Sequence, residues 1–168
     1  MENIVKGKAW TFGDNINTES IMPTGTDHTP SLARDKVLKF YDPDFAPNVQ
    51  PGDIVVTGTN LGNSSARPAC RVFGVIGVPV VICESAARIF YMHSWNYGIA
   101  CLECPGITKM VSKGDILEVD IMEGKVKNLT TGAELQAEKT ADVYLERWKA
   151  GGLVGWINSR RSEYDTLE

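Results

Sequence analysis

The side chains with the most chemistry to offer are crowded into GTNLGNSSARPAC, residues 58–70. Gly62, Asn63, Ser64 and Ser65 run into a stretch of helical spacing, with Arg67 close behind. The first N–H groups of a helix lack internal partners and its dipole is positive there, so an anion is attracted. Two hydroxyls beside such donors, with a guanidinium near, can grip a carboxylate or let a serine exchange a proton. A plainer reading competes: Ser is a preferred N-cap, and a Gly-rich turn needs no ligand. The run is not a Walker loop, because no Gly-Lys-Ser/Thr closes it. Nor is it a nucleophile elbow, since no G-x-S-x-G occurs.

Other reactive types are sparse. The two histidines, His28 and His93, are too few and too scattered for a triad or a metal site. His93 falls among apolar residues of a helical segment and reads as a packed or solvated helix residue. Four cysteines occur, Cys70, Cys83, Cys101 and Cys104. The C-x-x-C pair lies in IACLEC, which reads as a strand, where residues three apart face opposite ways and chelate one metal poorly. All four are expected to be reduced and structural, with no metal bound by this chain. A net charge of −4 gives no reason to expect nucleic acid as a partner. No apolar run approaches the ~20 residues of a membrane span, and MENIVKGKAW lacks the pattern of a signal peptide. The expectation is one domain over residues 1–168, soluble and cytoplasmic.

The elements that must position the serine run follow from periodicity and turn signals. The first thirteen residues read as a strand ending at Gly13, followed by the polar loop GDNINTES. IMPTGTDHTPS is too rich in proline and glycine for a regular element. SLARDKVLKFY reads as a helix capped by Ser31, with Leu32, Val37, Leu38 and Tyr41 roughly sharing a face. IVVTG reads as a buried strand, and the serine run then enters a helix with Pro68 in its first turn. PVVICE and IACLEC read as strands on either side of SAARIFYMHSWNYG, a helix capped by Ser85 and stopped by Gly98. This alternation argues for parallel pairing. Beyond Pro105, GDILEVDIMEGKVKNLTTGAELQAE alternates between turns at EGK and TTG, as in an antiparallel meander. TADVYLERWKAGG closes the chain as a helix capped by Thr140 and ended at Gly151. The fold class is α/β, a mostly parallel central sheet with an added antiparallel meander. Serines at the carboxyl end of its second strand would stand where such sheets bind ligands.

Several segments together resemble the small subunit of 3-isopropylmalate dehydratase and the homologous domain of aconitases. GDNINTESIMP is similar to that family's Gly-Asp-Asn-Ile-Asp-Thr-Asp-x-Ile-x-Pro loop. DPDFAPNVQPGDIVVTGTNLG resembles the stretch leading to its active-site loop, and ESAARIFYMHSWNYGI its Ser-Phe-Ala-Arg-Ile-Phe-Tyr helix. KNLTTG and KAGGL match as well, so the likeness runs in order from about residue 13 to 156. The resemblance implies the swivelling β/β/α fold of the aconitase family. It implies a hydro-lyase active only with a large subunit that carries a [4Fe–4S] cluster through its own cysteines. The substrate would be a hydroxy di- or tricarboxylate. The family's Ser-Ser-Arg-Glu-His-Ala falls on residues 64–69, which makes Ser64 the catalytic base and Ser65 a substrate contact.

The departures bear on substrate. Ala66 stands where the family has arginine, and Arg67-Pro68 where it has Glu-His. The loop is one residue shorter at Asn63, and Met92-His93 replace a usual Arg-Asn. Alanine cannot hold a carboxylate through two aligned bonds, so either Arg67 takes over from a shifted backbone, or the substrate is held differently, or the activity is weakened; Asn63 and Gly62 are candidate contacts beside Arg67. After Pro23 the family carries an Arg-Tyr-Leu type segment against the substrate side chain; here Thr24 to His28 follow, with Thr26 as candidate contact. A small polar loop suits an isopropyl group poorly. The expected activity is 3-isopropylmalate dehydratase-like. The alternatives are a related hydratase of homoaconitate, citramalate or maleate type, or a non-catalytic paralogue that keeps only the fold.

Overall fold

Short runs of β-branched and apolar residues, walled by turns, have nowhere to go but the middle of a sheet. Three such runs form the strands β2 (Ile54–Thr57), β3 (Val80–Cys83) and β4 (Ala100–Glu103), almost wholly buried. The computed structural model describes residues 3–23, 35–64 and 67–164. β1 (Ile4–Thr11) pairs in parallel with β2 through its second half, Ala9 opposite Ile54, and β2, β3 and β4 continue the parallel ladder. The first half of β1 instead pairs antiparallel with β5 (Ile116–Asp120), Ile4 opposite Asp120. β6 (Lys125–Asn128) and β7 (Glu134–Gln136) complete the meander. The result is one mixed seven-stranded sheet, ordered β4-β3-β2-β1-β5-β6-β7. β5 and β6 bury alternate residues, as strands with one wet face must. The α/β class and the parallel-plus-meander arrangement are as expected, with the meander joined to the same sheet through β1.

The helices are short, except those that cover β4. α1 (Thr18–Ile21), α2 (Phe45–Asn48), α3 (Arg71–Ile76) and α5 (Ile107–Met110) span about one turn or a little more. α4 (Arg88–Asn96) packs on β4 and on α6 (Asp142–Lys149), burying Phe90 and Trp95 against Leu145 and Trp148. α7 (Leu153–Ser159) lies against both, and α8 (Arg161–Tyr164) follows it. On the other side, Trp10 and Phe12 each meet the Phe45 ring edge-on at 5.2 Å. The chain leaving β7 swings back to the far rim, where the Glu138 amide donates to the Glu103 carbonyl at 2.7 Å. No helix among the described residues is long and apolar enough to cross a membrane.

Several expected details are corrected. Residues 31–34 of the expected helix lie outside the described residues, and the rest is a 3₁₀ turn at 35–36 followed by turns to 41. The Leu38 amide donates to Ser20 at 2.8 Å and its φ is 53°, which pulls the backbone out of a helical course while burying Leu38 fully. α3 begins at Arg71, after 3₁₀-type bonds such as Arg71 N to the Pro68 carbonyl at 3.1 Å, so Pro68 precedes the helix. Ser85 and Thr140 are not caps: Ala87 and Ala141 hold those positions. α7 and α8 had no counterpart in the expected elements.

All four cysteines are free and buried. Burial pushes the Cys70 thiol up to about 12 and that of Cys104 up to about 11. A hydrogen bond with Cys83, and burial, raise Cys101 as well. These are inert core thiols.

β1 can pass beneath the turn that precedes β2 only because Gly7 has no side chain. A Cβ there would lie 2.0 Å from the Gly52 carbonyl oxygen and 2.9 Å from its carbon, both backbone atoms that cannot swing aside. Gly7→Ala is expected to destabilise the fold by about 1–3 kcal/mol, read as a lower urea midpoint with an unchanged slope.

Candidate active-site loop

Where β1, β2 and β3 end, their backbones keep pairing. The Thr59 amide donates to Asp14 Oδ1 at 2.7 Å, the Asn15 amide to the Thr59 carbonyl at 2.8 Å, and Gly62 N to Ile16 O at 2.7 Å. Thr18 N reaches Asn63 O at 3.1 Å, and Asn17 and Asn63 form an isolated parallel bridge. On the other flank, Leu61 N donates to Ser85 O at 3.0 Å and Ala87 N to Leu61 O at 2.8 Å. Three loops therefore lie side by side, with residues 59–63 in the middle. Positive φ angles make the bends: Asn15 57°, Asn60 60°, Gly62 74° and Ser64 80°. Asn tolerates this region, whereas serine rarely enters it. Gly62 is irreplaceable on a second count, since a Cβ would lie 2.1 Å from the Phe90 ring.

Ser64 is exposed at the end of this ladder, its backbone in the left-handed region. A non-glycine residue held in such a region marks a place where surrounding structure imposes the conformation. Asn63 lies beside it and turns its amide inward, donating to the Asn60 carbonyl at 3.0 Å. Gly62 is buried, and its N–H is taken by Ile16. The Arg67 guanidinium turns toward α1: Nη1 donates to the Met22 carbonyl at 3.1 Å, and Nη2 lies 3.9 Å from Glu19 Oε1. Ser65 and Thr26 lie outside the described residues, as does Ala66. The structure thus brings Gly62, Asn63, Ser64 and Arg67 into one loop region. It does not set them on a helix N-terminus, because α3 starts at Arg71.

The supporting residues Asp14, Asn15, Asn17, Asn60 and Ser85 were not among the expected site residues. Their signal was present in composition: GDNIN and GTNLGN are dense in Gly and Asn, the types that enter left-handed bends. Glu84, just after β3, was also missed. Burial opposes its ionisation, but bonds from the Thr108 hydroxyl and the Gly106 and Thr108 amides outweigh that and hold the carboxyl below its ordinary range. The Glu103 carboxylate holds the Ala86 amide at 2.8 Å, so the ends of β3 and β4 are tied into the same cluster.

Two cavities of about 530 Å³ occur, one between the β5–β6 turn and α6, the other lined by Gly52, Gly77, Pro79 and Ile99. Neither includes a residue of the 58–64 loop. Among the described residues no three His, Cys, Asp or Glu side chains converge as metal ligands. With its thiols inert and buried, the donor set of the described residues does not fit an iron–sulfur cluster.

Comparison with known proteins decides the family. The model of the aconitase C-terminal domain matches residues 6–106, which include every strand and loop of this cluster. The chain belongs to the aconitase C-terminal domain family. Its relatives within that family match over almost their whole length. The isopropylmalate/citramalate isomerase small subunit of Methanocaldococcus jannaschii is 39% identical, over 97% of this chain and 99% of that one. The 3-isopropylmalate dehydratase small subunit of Aquifex aeolicus is 37% identical, over 95% and 98%. A crystal structure of 3-isopropylmalate dehydratase from M. jannaschii superposes with a TM-score of 0.89 at 28% identity, covering 98% and 99% of the two chains.

The Glu84 cluster yields a pH test. A depressed carboxylate contributes stability that is full above its ordinary value of 4.5 and is lost as pH falls through the lower folded value. Glu84→Gln is expected to destabilise by about 1 kcal/mol at neutral pH, as loss of a charge-assisted bond in a half-exposed site does. The difference in urea midpoint should shrink below pH 4.5 and vanish under acid conditions that protonate the wild-type carboxyl.

Proposed function

We propose that this chain is the small subunit of an iron–sulfur hydro-lyase that dehydrates and rehydrates a 2- or 3-hydroxy di- or tricarboxylate, of the 3-isopropylmalate or citramalate class. The observation that carries the reading is the loop ending in an exposed Ser64 held at a left-handed φ, in a chain that matches small-subunit relatives end to end. In this reading the [4Fe–4S] cluster belongs to a large partner subunit. This chain supplies Ser64, whose Oγ takes the proton from the carbon next to a substrate carboxylate. Gly62, Asn63, Ser65, Arg67 and Thr26 are its proposed substrate contacts.

A serine hydroxyl is a poor base unless its ionised form is stabilised and water is kept away. Ser64 is exposed among the described residues, and in this reading the partner's surface provides both. Arg67 stands apart among the contacts. Its guanidinium already has the Met22 carbonyl and the Glu19 carboxylate nearby, and a substrate carboxylate would compete with Glu19 for it. The same observation, joined to Ala66, favours a second reading in which the chain keeps the fold without the chemistry. A left-handed serine, maintained at conformational expense, weighs against that second reading.

The test is reconstitution with the cluster-bearing large subunit under anaerobic conditions, following the ultraviolet absorbance of the unsaturated product across a panel of hydroxy di- and tricarboxylates. Ser64→Ala is expected to lower kcat by about 10²–10⁴ with the complex intact. Turnover that survives this change removes Ser64 as the base. A complex that is silent on every substrate favours the second reading.

A further inference from the structure

Asn60 makes three contacts, one through its side chain and two through its backbone. Its Nδ2 donates to Asn15 Oδ1 at 2.9 Å, across to the loop after β1. Its amide donates to Ser85 Oγ at 3.0 Å, across to the loop after β3. Its carbonyl accepts from Asn63 Nδ2 at 3.0 Å, within its own loop and next to Ser64. It does so from a φ of 60°, with the side chain at the exposed rim rather than in the core. A residue needed only for the bend would be served as well by glycine, which enters the region freely. The amide therefore does something the bend does not require. It adds a direct side-chain bridge between two left-handed corners, Asn15 and Asn60, beside the Asn15–Thr59 backbone bond and the Asp14 carboxylate that accepts the Thr59 amide.

We propose that Asn60 is a positioning residue: its side-chain bridge to Asn15 sets where the loop delivers Ser64 to the substrate. The inference rests on the functional reading above, since positioning has meaning only if Ser64 reacts. The bond lies outside the hydrophobic core, so its loss should leave the fold standing while the loop shifts. A displacement of about 1 Å at a reacting group can lower a rate by about 10² with little effect on binding.

Asn60→Gly separates the two roles. Glycine keeps the left-handed bend, the amide to Ser85 and the carbonyl for Asn63, and removes only the bridge. In the reconstituted complex its kcat is expected to fall about ten- to a hundredfold, with KM within about twofold and an unchanged melting temperature. Asn15→Gly should lose as much, and the double variant no more than either alone, because all three lack the same bond. Asn60→Asp should recover most of the rate, since Asn15 can turn its amide to donate to the new carboxylate. Unchanged kcat in Asn60→Gly, or additive losses in the double variant, would overturn the inference. So would equal losses in the Gly and Asp variants accompanied by a lower melting temperature, which mark a merely structural residue. Hydrogen exchange on the small chain alone separates this inference from the functional reading. Faster exchange at the Leu61 and Gly62 amides in Asn60→Gly, with β2 unchanged, is expected even if the complex turns out silent. Unaltered exchange there overturns the bridge itself.

Discussion

A parallel sheet leaves a problem at the carboxyl ends of its strands: the backbone must leave the ladder, yet its polar groups still need partners. Here three loops meet that need for one another. Residues 14–18, 59–63 and 84–87 continue the pairing of β1, β2 and β3 beyond the sheet, through bonds of 2.7–3.1 Å. Each such bond is worth about 0.5–1.5 kcal/mol net. A left-handed non-glycine residue costs about 1–2 kcal/mol, and less where Asn is the occupant. Several bonds spread over four bends therefore carry the strain with a margin. The margin depends on all three loops being present, so none can be altered without reaching the other two. Ser64 inherits its conformation from this mutual arrangement rather than from a helix behind it.

The division of labour within β1 explains why the loops gather at one end. Its second half is paired in parallel and its first half antiparallel, so the two kinds of sheet meet within a single strand. The parallel half sends its carboxyl ends to one rim, which becomes the loop cluster. The antiparallel half sends tight turns to its rims instead, through Gly124 and Gly132 in left-handed φ. Its outer strand β7 is short, and Glu134 pairs with Lys125 and Lys127. Charge and brevity of that kind protect a sheet edge from unwanted pairing. The free edge of β4 is met by the returning chain at Glu138 and covered by α4, itself pinned by Trp95 and Trp148.

Strands were the legible part of the chain, because IVVT, VVIC and ACLE are apolar on both faces and bounded by turn residues. Helix starts were not. A serine before an apolar run is the ordinary mark of a cap, yet Ser85 gives its oxygen to the Asn60 amide in another loop. Only the fold places that competitor within reach. The same holds for Leu38, whose amide is captured by Ser20 and whose periodic spacing then counts for nothing. The serine run stood out as a candidate site through residue types and through its likeness to a known loop. Its support was not, since Asp14 and Thr59, like Asn15 and Asn60, lie 45 positions apart in the chain and meet only across β1 and β2. Arg67 shows the converse limit: a guanidinium near the right place, turned by Met22 and Glu19 toward α1.

Under the proposed function, an exposed Ser64 hydroxyl would be a poor base in a protein meant to act alone. A serine base needs a dry, positive environment at the moment it takes a proton, and a chain of this size could have built one in either of its larger cavities. Those cavities lie elsewhere and carry no such chemistry. What the loop cluster offers instead is a fixed presentation: a hydrogen-bonded ladder that ends on the exposed Ser64. Rigidity costs little here because the bonds are local to the rim, and outward placement is useful only if a second surface closes over it. The physical logic of the fold is therefore that of half a site. Under the proposed function this half sets where Ser64 stands, and the partner's surface excludes water from it.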